Sequence, residues 1–142
     1  MLSETFAKIR AVLALILGGD KIAAEYCLVN LVSRVYKKEV SFLIGNLPLN
    51  LSGVTNDQAK LLKSFLMNLC PLFSVFESTT QSLSEIAWQP KKNYDTNKLN
   101  ISVLGEMPNL SNIMIDETSM NEGKIEGCGV ENIKAIATLI ED

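Results

Sequence analysis

Apolar residues recur at helical spacing from the start of the chain. Phe6, Ile9, Val12, Leu13 and Ile16 predict a helix over residues 3–17. The run 13–17 reads equally as a buried strand, and periodicity does not separate the two. Gly18-Gly19 breaks the run, and Asp20 is a good N-cap for the next element. Residues 21–36 are apolar on nearly every side: Ile22, Ala23, Ala24, Tyr26, Cys27, Leu28, Val29, Leu31, Val32 and Val35. Lys21 and Glu25 fall on one side; Asn30, Ser33, Arg34 and Lys37 fall mostly on another. A helix this apolar is normally enclosed by other layers, so the pattern predicts a central element.

Further on, the alternation is rough over 42–51, with Gly45 and Pro48 inside. Residues 47–51 suit a short strand near a sheet edge, where proline is tolerated. Thr55-Asn56-Asp57-Gln58 is a capping box, opening a helix whose apolar face is Leu61, Leu62, Phe65, Leu66 and Leu69. Pro71 ends it. Residues 72–76 read as a strand, and Ser78-Thr79-Thr80-Gln81 reads as a second capping box before Leu83, Ile86 and Ala87. Strand, short turn and capped helix is the rhythm of a parallel sheet flanked by helices. Residues 89–97 are polar and read as a loop. Leu99, Ile101 and Val103 alternate as a strand, and 105–109 is a turn. Ile113-Met114-Ile115 is a continuous apolar run, as in a strand buried on both faces, and ends in Asp116-Glu117. Glycines at 123, 127 and 129 make 119–129 a connector. Ile133, Ile136, Ala137 and Ile140 mark a last helix.

Composition narrows the function. With 142 residues and 47% apolar content the chain has enough material for one real core, which argues against disorder. The net charge is −3 and no Lys/Arg run exceeds two residues, so the sequence carries no electrostatic footprint for direct nucleic-acid binding. Its longest apolar stretch is too short for a membrane span. There is no histidine, which removes Ser-His-Asp and Cys-His chemistry and most zinc sites. Cys27, Cys70 and Cys128 are scattered and odd in number, which suits a reducing compartment, and Cys27 suits a small core position. The apolar run 11–17 behind Lys8 and Arg10 loosely resembles a signal peptide; Glu4 and the missing small-x-small site oppose that. The sequons at Asn50, Asn100 and Asn109 matter only if the chain is secreted.

Two short constellations could carry chemistry. The first is Gly18-Gly19-Asp20-Lys21-Ile22-Ala23-Ala24-Glu25-Tyr26, glycines leading into a helix. A phosphate loop needs backbone amides at a helix N-terminus, then a Lys for the terminal phosphates and a Ser or Thr for magnesium. Glu25 and Tyr26 stand where that Lys-Ser pair belongs, and a glutamate repels phosphate. The plain alternative is a corner between two helices with Asp20 as N-cap. The second constellation is Ile113-Met114-Ile115 running into Asp116-Glu117. In nucleotide hydrolases such an Asp serves the magnesium shell and such a Glu orients water. Acids at a strand end also arise because the chain meets solvent there. The order, a phosphate-loop-like turn and then a strand ending Asp-Glu some ninety residues on, is that of AAA+ ATPase domains with the first motif eroded.

The residues also carry a family resemblance. Gly19 to Tyr26, continuing through Asn30-Leu31-Val32-Ser33 to Val35-Tyr36, resembles the mini-chromosome maintenance complex-binding protein family. So do Leu49 to Gly53, Tyr94 to Leu99, and Ile115-Asp116-Glu117-Thr118 with Gly123, Gly129-Val130 and Asn132. The similarity runs in order over essentially the whole chain.

The resemblance implies an α/β fold: an AAA-like, P-loop-type layered sheet with flanking helices. Residues 1–142 are then a single AAA-like segment, an incomplete domain and a fragment of a longer protein. Its nucleotide site is degenerate. Gly19, Asp20, Asp116 and Glu117 are remnants of that site, with no catalytic residue, no cofactor and no metal. The implied function is that of a nuclear, non-enzymatic adaptor for mini-chromosome maintenance helicase subunits. Its roles would lie in their assembly, in unloading from chromatin, in DNA replication and in sister chromatid cohesion. The implied partner is protein, with no direct nucleic acid, membrane or small-molecule substrate. The alternatives are an active AAA+ nucleotide-binding ATPase, which Asp116-Glu117 favours and Glu25-Tyr26 opposes, and an unrelated secreted or structural α/β domain. A short slice of a larger fold leaves apolar helix faces bare, so poor solubility is expected of it alone. No partner-binding surface is singled out by the sequence.

Overall fold

Helices open the chain. In the computed structural model, which describes residues 2–39, 43–100, 102–105, 107 and 111–141, α1 (Leu2–Ile16) and α2 (Lys21–Val32) are joined by a tight turn. The run 13–17 is therefore helical up to Ile16, not a strand. Gly18 and Gly19 take φ of 70° and 93°, a conformation that side chains resist, and this lets the chain turn within the four residues 17–20. Next come β1 (Lys37–Lys38) and β2 (Leu43–Ile44), a minimal antiparallel pair, and α3 (Asn56–Leu69). α1 packs on both α2 and α3. The buried residues of these helices are Leu13, Ala24, Cys27, Ala59, Leu62 and Leu66. Small side chains at 24, 27 and 59 let the helix backbones approach closely.

The capping box at Thr55 is present as read. The Gln58 amide donates to Thr55 Oγ1 and the Thr55 amide donates to Gln58 Oε1. Residues 46–54 form no strand, correcting the reading of 47–51; Asn30 Nδ2 donates to the Leu47 carbonyl at 2.6 Å and pins this segment to α2. Phe42, where the rough alternation was read to begin, lies outside the described residues. These elements form one compact unit, Met1–Pro71, and the rest a second, Leu72–Asp142.

In the second unit, β3 (Phe73–Glu77) pairs in parallel with β6 (Asn112–Asp116), from Phe73 opposite Asn112 to Glu77 opposite Asp116. The Ser78 amide extends the ladder by donating to the Asp116 carbonyl. That pulls Ser78 into the interior and moves the cap one residue on. Thr79 caps α4 (Thr80–Glu85), with Ser82 as its reciprocal partner, so the box is Thr79–Ser82 and not Ser78–Gln81. The polar stretch read as a loop over 89–97 holds β4 (Lys91–Asn93). It pairs with β5 (Lys98–Asn100) across a turn in which Asn93 Oδ1 accepts from the amides of Asp95 and Thr96. The strand expected through Val103 stops at Asn100. Ser102 begins the single turn α5 (Ser102–Gly105), Ile101 lies outside the described residues, and so do 106 and 108–109 of the expected turn. β6 is not buried on both faces as expected. Ile113 is exposed and its neighbours are only half-buried, because among the described residues the sheet has just two strands.

The last helix, α6 (Gly129–Glu141), packs on α4. The core here is Phe76, Leu83 and Trp88, with Leu104, Met107, Ile125 and Ile136 against it. The Phe76 and Trp88 rings lie 5.1 Å apart. Asn132 stitches this core together. Its Nδ2 donates to the carbonyls of Leu83 and Ile86, and its Oδ1 accepts from the Trp88 amide.

Burial alone pushes the Cys27 thiol above the ordinary thiol range. The unfolded chain therefore ionises first as pH rises. Stability is unaffected below about pH 8.5 and falls as pH climbs through the folded value. The melting temperature is expected to decline above that point, and less so in Cys27→Ala; parallel alkaline limbs in the two proteins would contradict this.

Candidate functional site

The two constellations singled out by the sequence fall in different units. Gly19 and Asp20 lie in the first, at the corner between α1 and α2; Asp116 and Glu117 lie in the second, at the carboxyl end of β6.

At the corner, Asp20 is the N-cap of α2. Its Oδ1 accepts from the amides of Ile22 and Ala23, both at 2.9 Å. Those amides are the groups a phosphate would use at a helix N-terminus. Here a carboxylate of the chain itself occupies them and brings the negative charge that the helix end favours. Glu25, at the position of the phosphate-loop Lys, instead forms an ion pair with Arg10 of α1 at 2.7 Å. The plain alternative, a helix–helix corner with an Asp N-cap, is what the structure contains. Replacing Asp20 by alanine is expected to cost about 1 kcal/mol, the usual worth of such a cap. Equilibrium urea unfolding checks it, and an unchanged midpoint would contradict it.

At the β6 terminus, Asp116 Oδ1 accepts from both the amide and the hydroxyl of Thr118, at 3.0 and 2.6 Å. This closes the strand end into a side-chain turn. Glu117 is exposed, and its carbonyl accepts from the Met120 amide. In parallel sheets ligands gather at the carboxyl ends of the strands, so this is the right edge for a site. One oxygen of Asp116, however, is committed to shaping the backbone. Among the described residues, no three His, Cys, Asp or Glu side chains gather as metal ligands. No helix among them is long and apolar enough to cross a membrane.

What the sequence did not reveal is the outward face of α2. The expectation of a central, enclosed helix is overturned: Ile22, Tyr26, Val29 and Val32 are exposed, and only Ala24 and Cys27 are buried. Periodicity shows where apolar side chains point but not what covers them.

The family model for the mini-chromosome maintenance replisome factor matches residues 1–142. The chain belongs to that family. It is 36% identical over 137 residues to the mini-chromosome maintenance complex-binding protein of Drosophila melanogaster, covering 94% of this chain. Against the proteins of the same name from Rattus norvegicus and Homo sapiens it is 31% and 30% identical over 141 residues, or 98% of this chain. It spans 22% of the length of each of these relatives. No solved structure matches it. The family resemblance read from the Ala23-Ala24-Glu25-Tyr26 helix and the Ile115-Asp116-Glu117-Thr118 strand end thus holds over the whole chain.

Proposed function

We propose that this chain is a protein-binding module that associates with subunits of the mini-chromosome maintenance complex and carries no nucleotide chemistry. The observation that carries this reading is the family match over all 142 residues, with relatives named for binding that complex. Two local features support the second half. The α2 amides are taken by Asp20, and Asp116 is engaged by Thr118. Glu25 also stands where a phosphate loop has its lysine for the terminal phosphates.

The finer roles follow from the same reading: helicase assembly, unloading from chromatin, support of DNA replication and of sister chromatid cohesion, all in the nucleus. An AAA-like origin of the fold belongs to it too. The parallel pairing of β3 and β6, a capped helix directly after β3, and an Asp-Glu at the end of β6 support that descent. The partner assignment is tested by pull-down of each purified mini-chromosome maintenance subunit on the immobilised chain. Retention of at least one is expected, and retention of none counts against it.

Asp116-Glu117 at a strand end favours a second reading, a nucleotide-binding ATPase. Calorimetric titration with magnesium-ATP decides between them. No binding heat is expected. Saturable binding that disappears in Asp116→Ala would establish the second reading.

A further inference from the structure

The face of α2 that points outward is a line of apolar side chains left exposed among the described residues. Ile22, Tyr26, Val29 and Val32 are 69%, 56%, 51% and 56% exposed. Successive spacings of four, three and three set them along one side of the helix. The opposite side carries the buried Ala24 and Cys27, so the exposed line is additional to the core face. Single exposed apolar residues are ordinary, whereas a contiguous set marks an interaction surface.

Its size and charge say what fits. The line offers a few hundred Å², against about 800 Å² per partner in a stable globular interface. A second copy laid face to face would fall short of that. One amphipathic helix reading anchors at i, i+4 and i+7 matches the line, since α2 has 12 residues and is about 18 Å long. On the rim, Glu25 is neutralised by Arg10, while Lys21 has no ion-pair partner among the described residues. Arg34, Lys37 and Lys38 follow the helix, all exposed, with Lys37 paired to Glu39. The unit Met1–Pro71 holds eight Lys and Arg against five Asp and Glu, a net +3. The rest of the chain holds five against eleven, a net −6. The apolar line thus sits on the basic unit of an acidic chain, which favours an occupant with acidic flanks.

We propose that the Ile22–Tyr26–Val29–Val32 face binds an acidic amphipathic helix of a mini-chromosome maintenance subunit. The identity of the partner rests on the function proposed above; the surface itself does not. The test compares the full 142-residue chain with the double variant Tyr26→Asp/Val29→Asp and with Ile133→Asp on α6. Circular dichroism checks that each retains its helices. Binding of the retained subunit is expected to weaken about tenfold or more in the α2 variant and to be unchanged in the α6 variant. Equal binding by the α2 variant would overturn the proposal.

If the unaltered chain retains no subunit, the partner assignment fails by itself. The surface is then read with a synthetic helix carrying leucines at i, i+4 and i+7 and glutamates at its flanks. Binding seen by fluorescence anisotropy and lost in the α2 variant upholds the surface; no binding overturns it. A dimer in sedimentation that the α2 variant abolishes would also overturn it, because the occupant would then be a second copy.

Discussion

Asn132→Ala is expected to destabilise the second unit by about 2 kcal/mol or more, because it strands two buried backbone groups, the Leu83 carbonyl and the Trp88 amide, and releases the part-buried Ile86 carbonyl. α4 has six residues, too few to stand unaided, and its last carbonyls have no intrahelical donors. Asn132 Nδ2 donates to one of them, Leu83 at 2.8 Å, and to the carbonyl of the C-cap residue Ile86 at 2.6 Å. Its Oδ1 takes the Trp88 amide at 2.9 Å, fixing the indole that stacks on Phe76. Asn132 is 1% exposed and its bonds to Leu83 and Trp88 are buried, so water does not replace those two. Trp88 is the only tryptophan, and its fluorescence through urea unfolding reports the loss directly. Asn132→Asp gives a sharper check. It keeps the acceptor for the Trp88 amide but sets a carboxylate against two carbonyls. Its pKa is then raised, and stability should recover as pH falls and the acid protonates. A loss under about 1 kcal/mol in Asn132→Ala would show that the stitch carries little.

Leu13→Ala is expected to cost the first unit about 2–5 kcal/mol, the range for emptying a leucine site in a packed core. Leu13 is fully buried on α1, the helix that packs on both α2 and α3. The other buried positions of these three helices include Ala24, Cys27 and Ala59, small side chains that offer little to refill a vacated space. Leu15, two residues away and 80% exposed, is the control; alanine there should shift stability by less than about 0.5 kcal/mol. Far-UV circular dichroism through thermal unfolding compares the two. Equal losses would mean that α1 does not pack as described.

These effects separate what could be read from the sequence and what could not. The Thr55–Gln58 cap and the helix after it were legible because a capping box is local chemistry, complete within four residues. The Asp20 cap was legible for the same reason. The second cap was placed one residue early, since Ser78 and Thr79 are equally good candidates until the sheet draws the Ser78 amide to Asp116. The β4–β5 hairpin hid in a polar stretch, where Asn93 makes the turn with its own side chain and no apolar alternation announces the strands. Asn132 was visible only as part of a family resemblance. Its partners lie 44 to 49 residues away, beyond the reach of periodicity. The α2 face was misread for a related reason. An apolar helix says that its sides avoid water, and in this chain one of them does not.

The Asp20 cap and the Asp116–Thr118 turn give both constellations structural duties. The central claim is that a mini-chromosome maintenance subunit is held by this chain without nucleotide. Biolayer interferometry measures it most directly: the 142-residue chain is immobilised, and each purified subunit is passed over it with and without magnesium-ATP. Saturable binding of at least one subunit, unchanged by ATP, is the expected result. Binding of none, or binding that appears only with ATP, would contradict it.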